Sequence, residues 1–374
     1  MFVYSQPIRL RSGLTLSEVE ELIMDVQSIL KNNSSQFGQK PAVIFRGQNI
    51  TFHDLYEKVL KLANALKHLG VKSGDKVAVY LPNSPEYVFS YLACLCLGAV
   101  VVPLDYMLKE DELISCMNHA EVKLLIAQSR QDVSLENIKT QVHFLEKIVM
   151  LGEKTLQEIP AYSFNEIMDQ AKAAELKVRI NPSDPALIMY TSGTTGKPKG
   201  ILLNYRHLDG SPEAMKYFVD LTGKDVKLCA IPLSHSGGFV YVQNCIVFGI
   251  TLVLMDRFHP LEFLKNVEQY KVTCFHIVPA MYTALLSLKN IGQYNLSSLR
   301  FVVVFGSPSS PEVLEQFHRY CPNAQLLNGW GMTETCPPNT VTPLRRGPAR
   351  DAIANLSSVG KPAPHCEIKI VDED

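Results

Sequence analysis

Short apolar runs alternate with helix-length segments along most of this chain. Residues 77–81, 99–102, 123–126, 228–231, 251–254, 274–278 and 301–304 are mostly apolar without alternating polarity, as in parallel strands buried on both faces. The spacing predicts an α/β architecture with parallel sheets. Val19, Leu22, Ile23, Val26, Ile29 and Leu30 share one helical face and predict an amphipathic N-terminal helix. Residues 42–45 and 50–52 predict a hairpin about Gly47-Gln48. Thr51 is placed to cap a helix carrying Leu55, Val59, Leu62 and Leu66 and ending at Gly70. The uncharged stretch 87–104 is long enough to consider as a membrane span. Gly98 and Pro103 interrupt it, however, so a helix followed by a buried strand is expected. Glu367-Ile368-Lys369-Ile370-Val371 alternates as a strand does.

The pattern occurs twice in long form. Residues 76–105 and 227–256 each run strand, proline, serine-containing loop, aromatic-bearing helix, glycine, apolar strand and a final aspartate. Two such βαβ units predict two related doubly wound lobes, with a site in the crevice at their strand C-termini. Residues 139–180 are more polar and are read as a connecting region; beyond Pro337 the chain becomes loop-rich.

Composition narrows the class. At 374 residues the chain can bury a large core and form more than one subdomain. Its 36 basic and 37 acidic residues nearly cancel, which gives no electrostatic case for nucleic acid or an anionic membrane. Nine cysteines, an odd number without a C-x-x-C pair, sit mostly in apolar runs. They are read as reduced thiols of a cytoplasmic interior, not a disulfide framework or zinc site. No basic segment followed by an apolar stretch opens the chain, so no signal peptide is expected.

Chemistry concentrates in Tyr190-Thr191-Ser192-Gly193-Thr194-Thr195-Gly196-Lys197-Pro198-Lys199-Gly200, directly after an apolar run. Glycines allow close backbone approach, hydroxyls and amides donate hydrogen bonds, and lysines neutralise charge, so the segment suits a polyanion. A plain hairpin tip uses the same residue types but rarely needs so many donors. The spacing is not that of a P-loop: only Thr194-Thr195 separate the glycines, and Pro198 follows Lys197. An extended flap is expected instead.

A second segment is Asn328-Gly329-Trp330-Gly331-Met332-Thr333-Glu334. Its glycines do not complete a dinucleotide fingerprint, because Glu334 stands where the third would fall. The tryptophan can offer a flat face to a purine, Thr333 can donate to a phosphate oxygen, and Glu334 is a hard oxygen ligand. Taken alone, the segment reads equally as a core tryptophan beside a solvated carboxylate.

Residues 191–200 and 328–334 together resemble the two hallmark motifs of the adenylate-forming enzymes, the family of acyl-CoA synthetases, beetle luciferases and peptide-synthetase adenylation domains. The resemblance runs from about Phe37 to the last residue. It implies two αβαβα lobes and part of a distorted β-barrel. The expected divisions are an N-terminal helical segment over 1–36 and a first lobe with its connecting region over 37–180. A second lobe with the phosphate loop is expected over 181–336 and the start of the barrel over 337–374. It implies ATP, Mg²⁺ and coenzyme A as cofactors or co-substrates. Thr191, Ser192, Gly193, Thr194, Thr195, Gly196, Lys197 and Lys199 would hold the phosphates. Trp330 would lie against adenine within Asn328–Met332, Thr333 would contact the α-phosphate, and Glu334 would help hold Mg²⁺. Tyrosine is usual where Trp330 stands. Gly306, Ser307 and Pro308 occupy the place of the adenine-side turn. His235 would sit at the acyl pocket and orient the carboxylate.

Amino-acid-activating relatives usually place an aspartate at the start of the His235 segment, where this chain has Ile231-Pro232-Leu233. An apolar fatty or aryl acid is therefore expected, with Phe239, Val240, Met281, Phe305, Gly331 and Pro337 as wall residues. The chemistry implied is attack of the carboxylate on the α-phosphorus of ATP, then capture of the acyl-adenylate by a thiol. Coenzyme A is the expected acceptor; a carrier protein, or a non-catalytic nucleotide-binding remnant, remains open, as does a homodimer. Family members continue past Asp374 into the rest of the barrel and a small C-terminal domain. The chain is accordingly read as an N-terminal fragment, impaired in turnover.

Overall fold

The computed structural model describes residues 3–4, 25–152, 161–191, 198–342 and 358–371. Two mixed sheets, each mostly parallel at its centre, are flanked by helices. The first runs Val3–Tyr4, Lys199–Asn204, Pro185–Thr191, Val100–Pro103, Lys76–Tyr80, Leu124–Gln128, Lys147–Leu151, Ala161–Ser163 in spatial order. The second runs Lys361–Pro362, Thr340–Val341, Gln325–Trp330, Phe301–Val304, Cys274–Ile277, Val226–Cys229, Thr251–Leu254, Pro41–Phe45, Gln48–Thr51. The central strands, such as Val100–Pro103 and Phe301–Val304, are buried at every position.

Local signals place the helices. The helix Phe52–His68 begins in a capping box: Asp54 donates its N–H to the Thr51 hydroxyl at 3.0 Å, and Thr51 donates its own N–H to the Asp54 carboxylate at 3.0 Å. Pro85–Leu97 has Ser84 as cap, Pro85 in its first turn and buried side chains throughout most of its length. Among the described residues no helix is long and apolar enough to cross a membrane. The N-terminal helix is seen over Val26–Phe37; Val19, Leu22 and Ile23 lie outside the described residues.

The repeat is real in three dimensions. Lys76–Tyr80 pairs in parallel with Val100–Pro103 around the helix Pro85–Leu97, and Val226–Cys229 with Thr251–Leu254 around Ser236–Phe248. Each helix ends on a glycine in the left-handed region, Gly98 at φ 73° and Gly249 at φ 64°, where a side chain would be strained.

Several placements differ from the sequence reading. The hairpin 41–51, expected in the first lobe, edges the second sheet, with Val43 opposite Leu252. The strands Pro185–Thr191 and Lys199–Asn204, expected in the second lobe, belong to the first. Periodicity shows that a strand is buried, not which sheet buries it. The region 139–180 adds two parallel strands at one edge, Lys147–Leu151 and Ala161–Ser163. Residues 367–371 form no strand; Ile370 is 94% exposed, because alternation without a partner ladder is not a sheet.

One buried cation opposes stability. Lys227, on the strand Val226–Cys229, is fully buried, and its ammonium has no hydrogen-bond partner among the described residues. It lies 4.6 Å from the Tyr241 ring centroid. Burial pulls its pKa down to about 8, against smaller opposing effects of Cys274, Cys229 and Asp225. A lysine pKa lower in the folded than in the unfolded chain is a penalty. It is fully present below about pH 8 and fades as pH rises toward 10.5. That gap is worth about 3 kcal/mol. Lys227→Met is expected to raise stability to urea by about 2–3 kcal/mol at pH 7, with a smaller gain at pH 9.5. A gain unchanged across that range would reject charge as its cause.

Candidate active site

Strand C-termini from both sheets open on one cavity of about 1540 Å³, the position at which open α/β sheets bind ligands. Asn83 and Asp105 come from the first lobe. Residues 230–232, 234–237, Asp256, Val278, Phe305 to Ser309 and Asn328 to Thr333 come from the second. The two aspartates that end the sequence repeat, Asp105 and Asp256, thus face the same space.

Two segments singled out in the sequence meet here, and a strand flanking the third passes close by. The Ser236 hydroxyl lies 3.3 Å from that of Thr333, joining the His235 segment to the Trp330–Thr333 turn. The strand Lys199–Asn204 and the turn Thr333–Thr335 approach within 8 Å between Cα atoms. The antiparallel strands Pro185–Thr191 and Lys199–Asn204 therefore pass beside that turn. Thr191 pairs with Lys199 between them, and Lys199 is exposed. Ser192, Gly193, Thr194, Thr195, Gly196 and Lys197 lie outside the described residues. Tyr190 anchors the pair by donating its phenolic hydrogen to the Cys116 carbonyl at 2.8 Å.

His235, Val240, Met281, Phe305, Gly306, Ser307, Pro308, Asn328, Gly329, Trp330, Gly331, Met332, Thr333 and Pro337 all line the cavity. Trp330 is 42% exposed, so its ring is open to a ligand. A Cβ on Gly331 would lie 2.5 Å from that of Pro337; the absence of a side chain lets the tryptophan turn close on the proline. Glu334 is half-buried in the turn Thr333–Thr335, beside the cavity and not on its wall. Phe239 is also off the wall. It stacks on Tyr91 with ring centroids 4.8 Å apart, because consecutive helical residues point about 100° apart.

Two polar residues of the site carried no signal of their role in the sequence. Asn83 is buried; its amide donates to the carbonyls of Ile231 at 2.8 Å and Met255 at 3.1 Å and accepts from the Leu233 N–H at 2.7 Å. It ties the first lobe to the loop that carries His235. Asp105 lies 3.1 Å from His235 Nε2. The repeat marked Asp105 as a recurring position, but only folding brings it to the histidine. His276 lies in the apolar wall, held neutral by burial and by the nearby Lys227.

Residues 30–374 match the family of AMP-binding enzymes, and the chain belongs to it. A long-chain-fatty-acid–CoA ligase of Bacillus subtilis is 31% identical over 340 residues, covering 83% of this chain and 60% of that protein. 4-Coumarate–CoA ligase 1 of Petroselinum crispum is 29% identical over 327 residues, covering 82% of this chain and 56% of that protein. Among solved structures, the anthranilate CoA ligase AuaEII in complex with anthranoyl-AMP superposes with a TM-score of 0.85 at 25% identity. That match covers 94% of this chain and 67% of that one. A long-chain-fatty-acid–CoA ligase, FadD1 from Archaeoglobus fulgidus, gives 0.80 at 27% identity, covering 91% and 69%. The chain is thus homologous to the large N-terminal part of both fatty-acid and aryl-acid CoA ligases, and the match spans 60% of the Bacillus subtilis relative's length.

Proposed function

We propose that this chain carries the nucleotide and acid sites of an enzyme that activates an apolar or aryl carboxylic acid with ATP and passes the acyl group to coenzyme A. The observation that supports the reading most directly is the meeting of Trp330, Thr333 and the His235 segment around one cavity, with the strand Lys199–Asn204 passing beside the turn Thr333–Thr335. The activities of the relatives, fatty-acid and coumarate CoA ligation, support the acid class and the acceptor.

In this reading adenine lies against Trp330 beside Gly306 and Ser307, and Thr333 donates to an α-phosphate oxygen. Lys199 and the glycine-rich loop neutralise the departing pyrophosphate. The reaction sets a carboxylate against an already anionic phosphate, so shielding charge and fixing geometry are most of the catalysis. Among the described residues no cluster of three metal-ligating side chains exists. A lone carboxylate such as Glu334 nevertheless fits a magnesium ion bound largely through nucleotide phosphates. When bound, that ion supplies positive charge to the phosphate oxygens. The acid enters among the apolar side chains of Val240, Met281, Val303 and Phe305.

Trp330 is the only tryptophan in the sequence, so its fluorescence reports this site alone. Titration with AMP or ATP is expected to change its intensity saturably, and GTP to do so more weakly. An unchanged spectrum at millimolar adenine nucleotide would argue against adenine at this position.

A further inference from the structure

A charged contact in the cavity joins the two lobes. Asp105 follows the first-lobe strand Val100–Pro103, and His235 precedes the second-lobe helix Ser236–Phe248. His235 Nε2 lies 3.1 Å from Asp105 Oδ2. The carboxylate is itself held in place: the Met107 N–H donates to Oδ1 at 2.8 Å, and the Ser234 hydroxyl lies 3.5 Å from Oδ2. The His235 hydrogen bond, foremost, keeps its pKa below the usual range. Asp105 is therefore an ionised acceptor, and His235 donates Nε2–H to it.

That commitment decides what the ring can offer a ligand. Only Nδ1 remains. In a neutral imidazole with Nε2–H, Nδ1 carries a lone pair and repels a carboxylate oxygen; in the imidazolium it donates a charge-assisted hydrogen bond. Among the described residues, the other ionisable side chains lining the cavity are Tyr87, Tyr106, Asp256, Arg257 and His276. Arg46 neutralises Asp256 at 2.8 Å. Burial keeps Tyr87 and Tyr106 protonated and His276 neutral. Asp105 is thus the unneutralised anion in contact with His235.

We propose that Asp105 is a positioning residue for the acid: it grips His235 through Nε2 and stabilises the imidazolium, so that Nδ1–H receives the substrate carboxylate. The inference rests on the reading that the cavity binds a carboxylic acid. Its chemical consequence is that acid binding takes one proton from solvent onto Nδ1, while no other covalent bond changes. Asp105 also ties acid binding to the alignment of the two lobes, since each lobe supplies one member of the pair.

The test is isothermal titration of the 374-residue chain with cinnamate and with decanoate, AMP present, in phosphate, HEPES and Tris at about pH 8, where an ordinary imidazole is neutral. Proton uptake appears as dependence of the observed enthalpy on buffer ionisation enthalpy. Approach to one proton is expected for the unmodified chain. Asp105→Asn, which keeps an acceptor but no charge, is expected to bind acid about tenfold or more weakly with no uptake. Asp105→Glu is expected to retain uptake. Melting temperatures of both variants establish that they are folded. Acid binding without uptake by the unmodified chain, or uptake and affinity preserved in Asp105→Asn, overturns the proposal. Intact AMP binding with no binding of either acid overturns the carboxylic-acid reading beneath it, and the proposal with it.

Discussion

Replacing Asn83 with leucine is expected to cost about 3–6 kcal/mol of folding stability, since each buried polar group left without a partner costs about 1–3 kcal/mol. The side chain makes three hydrogen bonds, all to backbone groups of the other lobe. Leucine is of similar size, so the loss separates the polar contacts from cavity formation. The Met255 carbonyl and the Leu233 N–H would lose their side-chain partner, and the Ile231 carbonyl would keep only the weak Cys229 thiol donor at 3.4 Å. Asn83→Asp would fare no better: the carboxylate could accept from Leu233 but would face two carbonyl oxygens without a hydrogen to give. Because Leu233 lies two residues before His235, the same change is expected to loosen the acid end of the cavity. Urea unfolding measures the effect, and a change below about 1 kcal/mol would show that the lobes do not depend on this clamp.

Loss of the Trp330 ring is expected to weaken adenine nucleotide binding by about 10- to 100-fold, the range that stacking of one base on an aromatic ring supplies. The ring stands at the cavity wall with 42% of the residue exposed, so Trp330→Ala removes a ligand surface more than a core contact. Trp330→Tyr keeps a flat face and is expected to hold affinity within a few-fold. Calorimetric titration with ATP reads both, since the alanine variant has no tryptophan left to report. Equal affinity for all three proteins would remove adenine from this wall.

Much of the architecture was legible in the chain itself. The Thr51 cap, the hairpin about Gly47, the paired glycines that end the two repeat helices, and the buried parallel strands all depend on residues within a few positions of one another. Helix caps and left-handed glycines are local chemistry, and burial on two faces leaves a continuous apolar run. The cavity's position also followed from local pattern, because two βαβ units of the same order must both open at their strand C-termini.

The rest depended on long-range pairing. Hairpin 41–51 and strands 185–204 each satisfy the same apolar pattern in either sheet, and only packing across the lobes decides between them. Phe239 and Val240 are equally apolar neighbours; the rotation of one helix sends the first to the core and the second to the cavity. Asn83 lies 148 residues from the Ile231 carbonyl it holds, and nothing in its own neighbourhood distinguishes it from a loop asparagine.

Periodicity and capping thus specified most of the elements, since those arise among neighbours along the chain. The assignment of strands to sheets, the clamp at Asn83 and the partner of His235 came only from the folded arrangement. A hydrogen bond across lobes is set by where two distant backbones arrive, and no local pattern encodes that arrival.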